Sequence, residues 1–158
     1  MAGIHELLEE YASFAQNTHD KGHLFEKLIQ KFLQTDKTYA DKYDKVWLWQ
    51  EWPGGRGKVD TGIDLVARDK FTGELCAIQC KFYDPHHNLQ KSDIDSFFTA
   101  SGKEGFTSRI IVSTTDKWSK HAEDALNNQQ IVTTRIGVDD LANSEIDWSQ
   151  YSDRKSVV

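Results

Sequence analysis

The chain has only two prolines and two cysteines in 158 residues, no long apolar run and no surplus of positive charge. With so little proline, and with 38% hydrophobic and 28% charged residues, a disordered segment is excluded and a compact fold is implied. No apolar run nears the roughly 20 residues that cross a bilayer. The N-terminus also lacks a basic, then apolar, then cleavable pattern, so a cytoplasmic protein is expected. Cys76 and Cys80 stand four apart in one extended run, about 13 Å along the chain, which is too far to bridge. Neither belongs to a C-x-x-C or Cys/His zinc pattern, and both read as small core residues. No internal repeat or low-complexity segment occurs, and the length suits one domain with a sizeable core. The formal net charge of −6 argues against a chain that grips DNA by itself. Either another element delivers it to a polyanion, or Lys and Arg gather on one face.

The stretch that organises the chain is Thr61 to Tyr83, TGIDLVARDKFTGELCAIQCKFY. Two apolar runs flank a polar turn, the pattern of a β-hairpin. A loop of Lys70 to Gly73 places Asp69 opposite Glu74, Arg68 opposite Leu75 and Asp64 opposite Gln79. Because strand side chains alternate, Gln79 and Lys81 share one face while Cys76, Ile78, Cys80 and Phe82 take the other. A carboxylate, an amide and an ammonium thus converge at one end of the hairpin. Two are oxygen ligands suited to a hard divalent cation, and the third can orient water or offset charge on phosphorus. The alternative is a turn-forming Asp with Gln79 and Lys81 on a solvated sheet face.

Asp64 followed by Gln79-Cys80-Lys81 resembles the D…(D/E/Q)-x-K signature of PD-(D/E)xK nucleases, in the Gln-bearing form of Mrr-like restriction endonucleases. Gly62-Ile63-Asp64 and Ile78-Gln79-Cys80-Lys81 carry the likeness. Gly22-His23-Leu24-Phe25-Glu26 resembles a Gly-x-x-Phe-Glu helix of the same family. Glu26 lies at the border of the apolar arc of its helix, where it either reaches the site or serves as an ordinary surface carboxylate. The resemblance implies a restriction-endonuclease-like α/β/α sandwich with a central mixed sheet and a motif-bearing hairpin. It further implies Mg²⁺ held by Asp64, Gln79 and the backbone carbonyl of Cys80, with Lys81 and Glu26 completing the catalytic set.

Along the rest of the chain, apolar spacing predicts helices over Ile4 to Ala15 and Gly22 to Leu33. Lys45 to Trp52, KVWLWQEW, reads as an aromatic strand whose Trp residues belong to the core rather than to base stacking. Pro53 to Lys58 is a glycine-rich cationic loop in which Arg56 and Lys58 suit DNA phosphates. It is not a P-loop, since neither Gly57-Lys58 nor Gly102-Lys103 has the upstream Gly or the following Ser/Thr. Asp60, four before Asp64, is either a supporting metal ligand or turn chemistry. His86 and His87 lie on a loop without a third partner and read as solvated. A helix over Ser92 to Ala100, a strand over Arg109 to Ser113, a helix over Trp118 to Asn128, a strand over Ile131 to Ile136 and a turn from Val138 to Leu141 follow. That alternation implies parallel crossovers appended to the hairpin.

Residues 1–146 are expected to form the nuclease domain and 147–158 a linker or tail. The aromatic stretch and PGGRGKVDTGIDLVA are similar to single-chain type I (type ISP) restriction-modification enzymes. That likeness implies double-stranded DNA as substrate and helicase-like, methyltransferase and target-recognition domains elsewhere, with ATP needed only by the motor. Two alternatives stay open: a stand-alone Mrr-type nuclease acting on methylated DNA, and a catalytically inactive DNA-binding or assembly module.

Overall fold

The computed structural model describes residues 3–14, 18–55, 62–102 and 105–151. Helices α1 (Ile4–Phe14) and α2 (Thr18–Thr35) and a single turn, α3 (Lys37–Ala40), come first. Strands β1 (Tyr43–Leu48), β2 (Leu65–Asp69) and β3 (Leu75–Lys81) then form an antiparallel meander. Helix α4 (Lys91–Ser101), strand β4 (Ser108–Ser113), helix α5 (Lys120–Asn127), strand β5 (Val132–Ile136) and helix α6 (Val138–Ala142) complete the order. β4 lies parallel to β3 and β5 parallel to β4, giving a mixed sheet in the order β1-β2-β3-β4-β5.

Alternation along the strands builds two cores. On one face Leu65, Ala67, Cys76, Ile78, Ile110 and Val112 meet Phe25, Ile29 and Phe32 of α2, together with residues of α1 and α6. On the other, Val66, Ala77 and Ile111 meet Ile94 and Phe97 of α4 and Ala122 of α5. Parallel strands need long crossovers, and α4 and α5 supply them on that second face. The result is the expected α/β/α sandwich.

The hairpin forms as its spacing predicts. Leu65 pairs with Ile78 and Arg68 with Leu75, and Asp69 N donates to Glu74 O at 2.8 Å. In the loop, Asp69 Oδ1 accepts from Phe71 N and Thr72 N at 2.9 and 3.1 Å. Gly73 closes the turn at φ 76°, a conformation that L side chains avoid.

Two boundaries are corrected. The expected strand over residues 45–52 stops at Leu48, and Trp49–Glu51 wind into a 3₁₀ turn. Glu51 Oε1 accepts from Leu48 N at 2.9 Å, and Trp52 N returns to Leu48 O at 3.1 Å. The turn folds Trp49 and Trp52 into the second core, in agreement with their reading as core residues. The expected linker from residue 147 is corrected as well. Trp148 is 4% exposed in the first core, stacked on Phe32 with centroids 5.9 Å apart, and its Nε1 donates to Leu141 O at 3.0 Å. An isolated Trp in polar sequence carries no periodicity, which hides this contact from the sequence. Residues 152–158 lie outside the described part.

Candidate active site

The site sits where β2 begins and β3 ends. Asp64 N donates to Ile78 O at 2.9 Å, and Asp64 O accepts from Trp49 N at the same distance, so Asp64, one residue before β2, is held between the end of β1 and the end of β3. Gly62 turns the chain into β2 at φ 102°. A Cβ there would lie 2.9 Å from Ser96 Oγ and 3.3 Å from Phe97 N of α4. Position 62 therefore needs glycine for both conformation and space.

Gln79 is 2% exposed. Its Nε2 donates to Gly62 O at 3.0 Å, while its Oε1 is buried with no hydrogen-bond partner among the described residues. Leaving such an acceptor unpaired costs about 1–3 kcal/mol; Trp49 Nε1 and Trp118 Nε1 share that state, but as donors they offer nothing to a cation. Beside Gln79, Asp64 Oδ2 accepts from Cys80 N at 2.8 Å. In an extended strand a residue's N–H and C=O point to the same side, so the Cys80 carbonyl also faces the β2 edge and Asp64.

Lys81 shares the face of Gln79, and its Nζ lies 6.0 Å from the centre of the Tyr83 ring. That ring is anchored on several sides. It stacks on His87 with centroids 4.1 Å apart, and burial and its hydrogen-bonded partner Asp93 push its hydroxyl up to about 12. Thr114 Oγ1 accepts from Tyr83 N at 2.7 Å and donates to Tyr83 O at 2.6 Å, and Thr114 N donates to Lys81 O at 3.0 Å. Tyr83, Asp93 and Thr114 carry no motif, and sequence reasoning missed them. The solvated reading of His87 is corrected: its Nε2 lies 3.3 Å from Asp93 Oδ2. His86 is exposed.

Glu26 rides on α2 with its side chain 24% exposed and Oε1 4.0 Å from His23 Nδ1. Phe25 meets Phe82 edge-on at 5.2 Å, which seats this helix over the end of β3. Burial first, then the charges of Asp64 and Glu26 against the opposing Lys81, push the Cys80 thiol well above its usual range. It stays protonated and is no nucleophile. Arg56, Lys58 and Asp60 lie outside the described residues.

Among the described residues no three His, Cys, Asp or Glu side chains gather to hold a metal ion. The donors at hand are the Asp64 carboxylate, the unpartnered Gln79 Oε1 and the Cys80 carbonyl, all hard oxygens. Such a set fits Mg²⁺ or Mn²⁺, with water filling the remaining positions, and does not fit zinc.

A family model described as a restriction endonuclease, of the Mrr catalytic type, matches residues 34–158. The chain belongs to this restriction endonuclease family. Among solved structures, the restriction endonuclease domain is similar to the ATP-dependent type ISP restriction-modification enzyme LlaBIII bound to DNA, at 35% identity and TM-score 0.81. The match covers 98% of this chain and 9% of that one, so the chain spans about a tenth of the larger enzyme. The fold alone is shared with MspJI in complex with a 27-mer oligonucleotide, at 19% identity, TM-score 0.55, and coverage of 86% and 29%. The same holds for the DNA modification-dependent endonuclease AspBHI, at 11% identity, TM-score 0.56, and coverage of 98% and 35%. No curated protein matches the chain.

A cleft of about 540 Å³ opens at the same end of the domain, against Leu8, Phe82 and Val138. Its rim mixes Lys21 and Lys117 with Glu9, Asp84, Asp116 and Asp139, and it therefore forms no cationic stripe.

Proposed function

We propose that this domain hydrolyses phosphodiester bonds of double-stranded DNA with Mg²⁺, as the cleavage module of a larger ATP-dependent restriction-modification enzyme. One observation carries this reading: a buried amide oxygen on Gln79, without a donor among the described residues, belongs to the residue between Ile78 and Cys80, both of which Asp64 contacts. A hard cation gives that oxygen its missing partner and offsets the cost of burying it. Asp64, Gln79 Oε1 and the Cys80 carbonyl hold the ion, and Asp60 and Glu26 support it through water. When bound, the ion lowers the pKa of water and draws charge from a phosphate oxygen.

The chain's own groups do the rest. Lys81, on the Gln79 face, orients the attacking water and offsets charge growing on phosphorus. Asp64 keeps its carboxylate in place through the Cys80 N–H bond. Arg56 and Lys58 contact phosphates beside the scissile bond, and the products are a 5′-phosphate and a 3′-hydroxyl. With a formal charge of −6 the domain depends on its context for affinity. The type ISP likeness supports helicase-like, methyltransferase and target-recognition domains as that context, with ATP used only by the motor.

The test is plasmid cleavage with Mg²⁺ in the full enzyme. Lys81→Ala and Asp64→Asn are expected to lower the rate at least about 10³-fold with an unchanged circular dichroism spectrum. Asp64→Asn keeps an oxygen for Cys80 N, so it removes charge without orphaning the backbone. Wild-type rates in both variants would end the assignment.

A further inference from the structure

We infer that Gln79 is kept as an amide, and not as the acid of the D/E-bearing motif, because the group that faces the Gly62 carbonyl at 3.0 Å has to donate; the inference rests on the nuclease reading above. A backbone carbonyl can only accept, so the group facing Gly62 O at 3.0 Å has to be the NH₂. That contact fixes the amide flip. It turns Oε1 away from Gly62, into the buried position where nothing else satisfies it.

A carboxylate of the same shape has only acceptors. Glu at position 79 would set an oxygen against Gly62 O at the present 3.0 Å, and would add a second negative charge between the two β3 residues that Asp64 contacts. The carbonyl has little room to turn away. Gly62 is held at φ 102° and packed so closely on α4 that even a Cβ would touch Ser96 Oγ at 2.9 Å. Packing of α4 on Gly62 thus decides the ligand type at position 79, and Gly62 acts as a positioning residue for Gln79. Restoring the acid costs the site its geometry and gains no affinity from the added charge.

The experiment compares wild type and Gln79→Glu in the 158-residue chain for thermal unfolding without metal and for binding of Mn²⁺ alone by calorimetry, and in the full enzyme for single-turnover DNA cleavage. Expected are a Tm lower by about 5 °C, an Mn²⁺ Kd no tighter than wild type, and a cleavage rate lower by at least about tenfold. Mn²⁺ binding tightened tenfold or more, with wild-type Tm and cleavage, would overturn the inference. Should Gln79→Glu fail to fold, amide exchange of the wild-type chain decides. The Gln79 side-chain NH₂ protons should exchange at least about tenfold more slowly than those of the exposed Gln50, and equal rates would refute the bond to Gly62. Lys81→Ala and Asp64→Asn separate the two failures. If both cleave normally, the nuclease reading falls; if both are inactive while Gln79→Glu cleaves like wild type, only the selection by Gly62 falls.

Discussion

Gln79 and Arg109 are buried polar residues on neighbouring strands and on the same side of the sheet, yet they are treated in opposite ways. Arg109, 3% exposed, is fully engaged. Its Nε donates to Ser101 Oγ at 2.6 Å, Nη1 to Gln129 Oε1 at 2.8 Å and Nη2 to Phe98 O at 3.1 Å. The Phe98 ring lies under its guanidinium at 5.1 Å, and burial lowers its pKa. Gln79, as deeply buried, keeps one oxygen unsatisfied. The first arrangement secures the end of α4 to the sheet, whereas the second leaves an acceptor open for the cation of the proposed mechanism.

Removing each residue should separate those roles. Arg109→Met takes a donor from Ser101 Oγ, Gln129 Oε1 and Phe98 O, of which Phe98 O keeps Gly102 N, and is expected to cost about 2–4 kcal/mol, lowering Tm by about 10 °C. The cleavage rate per folded molecule should remain within about threefold of wild type. Gln79→Met should do the reverse. It removes the unpaired oxygen along with the bond to Gly62, so stability should move by less than about 1 kcal/mol while single-turnover cleavage falls about 100-fold. A large loss of Tm in Gln79→Met, or a large loss of cleavage in Arg109→Met, would erase the contrast.

Gly62→Ala sharpens the comparison because it strains the backbone that orients Gln79. Forcing a Cβ to φ 102° against Ser96 is expected to cost about 1–3 kcal/mol and to reduce cleavage together with Tm. The smallest effect belongs to Asp44 and Arg68 at the far end of the hairpin, whose half-exposed forks meet at 3.0 and 2.7 Å. Arg68→Ala should leave the unfolding midpoint and the cleavage rate where they are, because solvent screens so exposed a pair, as denaturant titration beside the cleavage assay can show.

Much of this was legible in the residues because the hairpin is local. Its four-residue loop sets the register as far as Leu65 and Ile78, and that register brings Asp64 to the end of β3, where it contacts Ile78 and Cys80. The order of helices and strands after it followed from simple periodicity, apart from shifts of a few residues at the ends. What stayed hidden depends on contacts distant in sequence. Thr114 reaches the site only because β4 lies beside β3, where Ser113 pairs with Lys81. The end of β1 at Leu48 depends on one Glu51 carboxylate capping a turn, and strand-like aromatics masked it. Arg109 opens a run read as apolar, and only the packing of α4 and the Gln129 loop shows how its charge is accommodated.

The turn at Trp148–Tyr151 binds the two helices of one layer at once. Trp148 is stacked on Phe32 of α2, and Tyr151 O receives the hydroxyl of Tyr11 from α1 at 3.2 Å. Tension applied to the chain at residue 151 would therefore be borne first by α1 and α2, before it reaches the β2–β3 hairpin on which α2 packs.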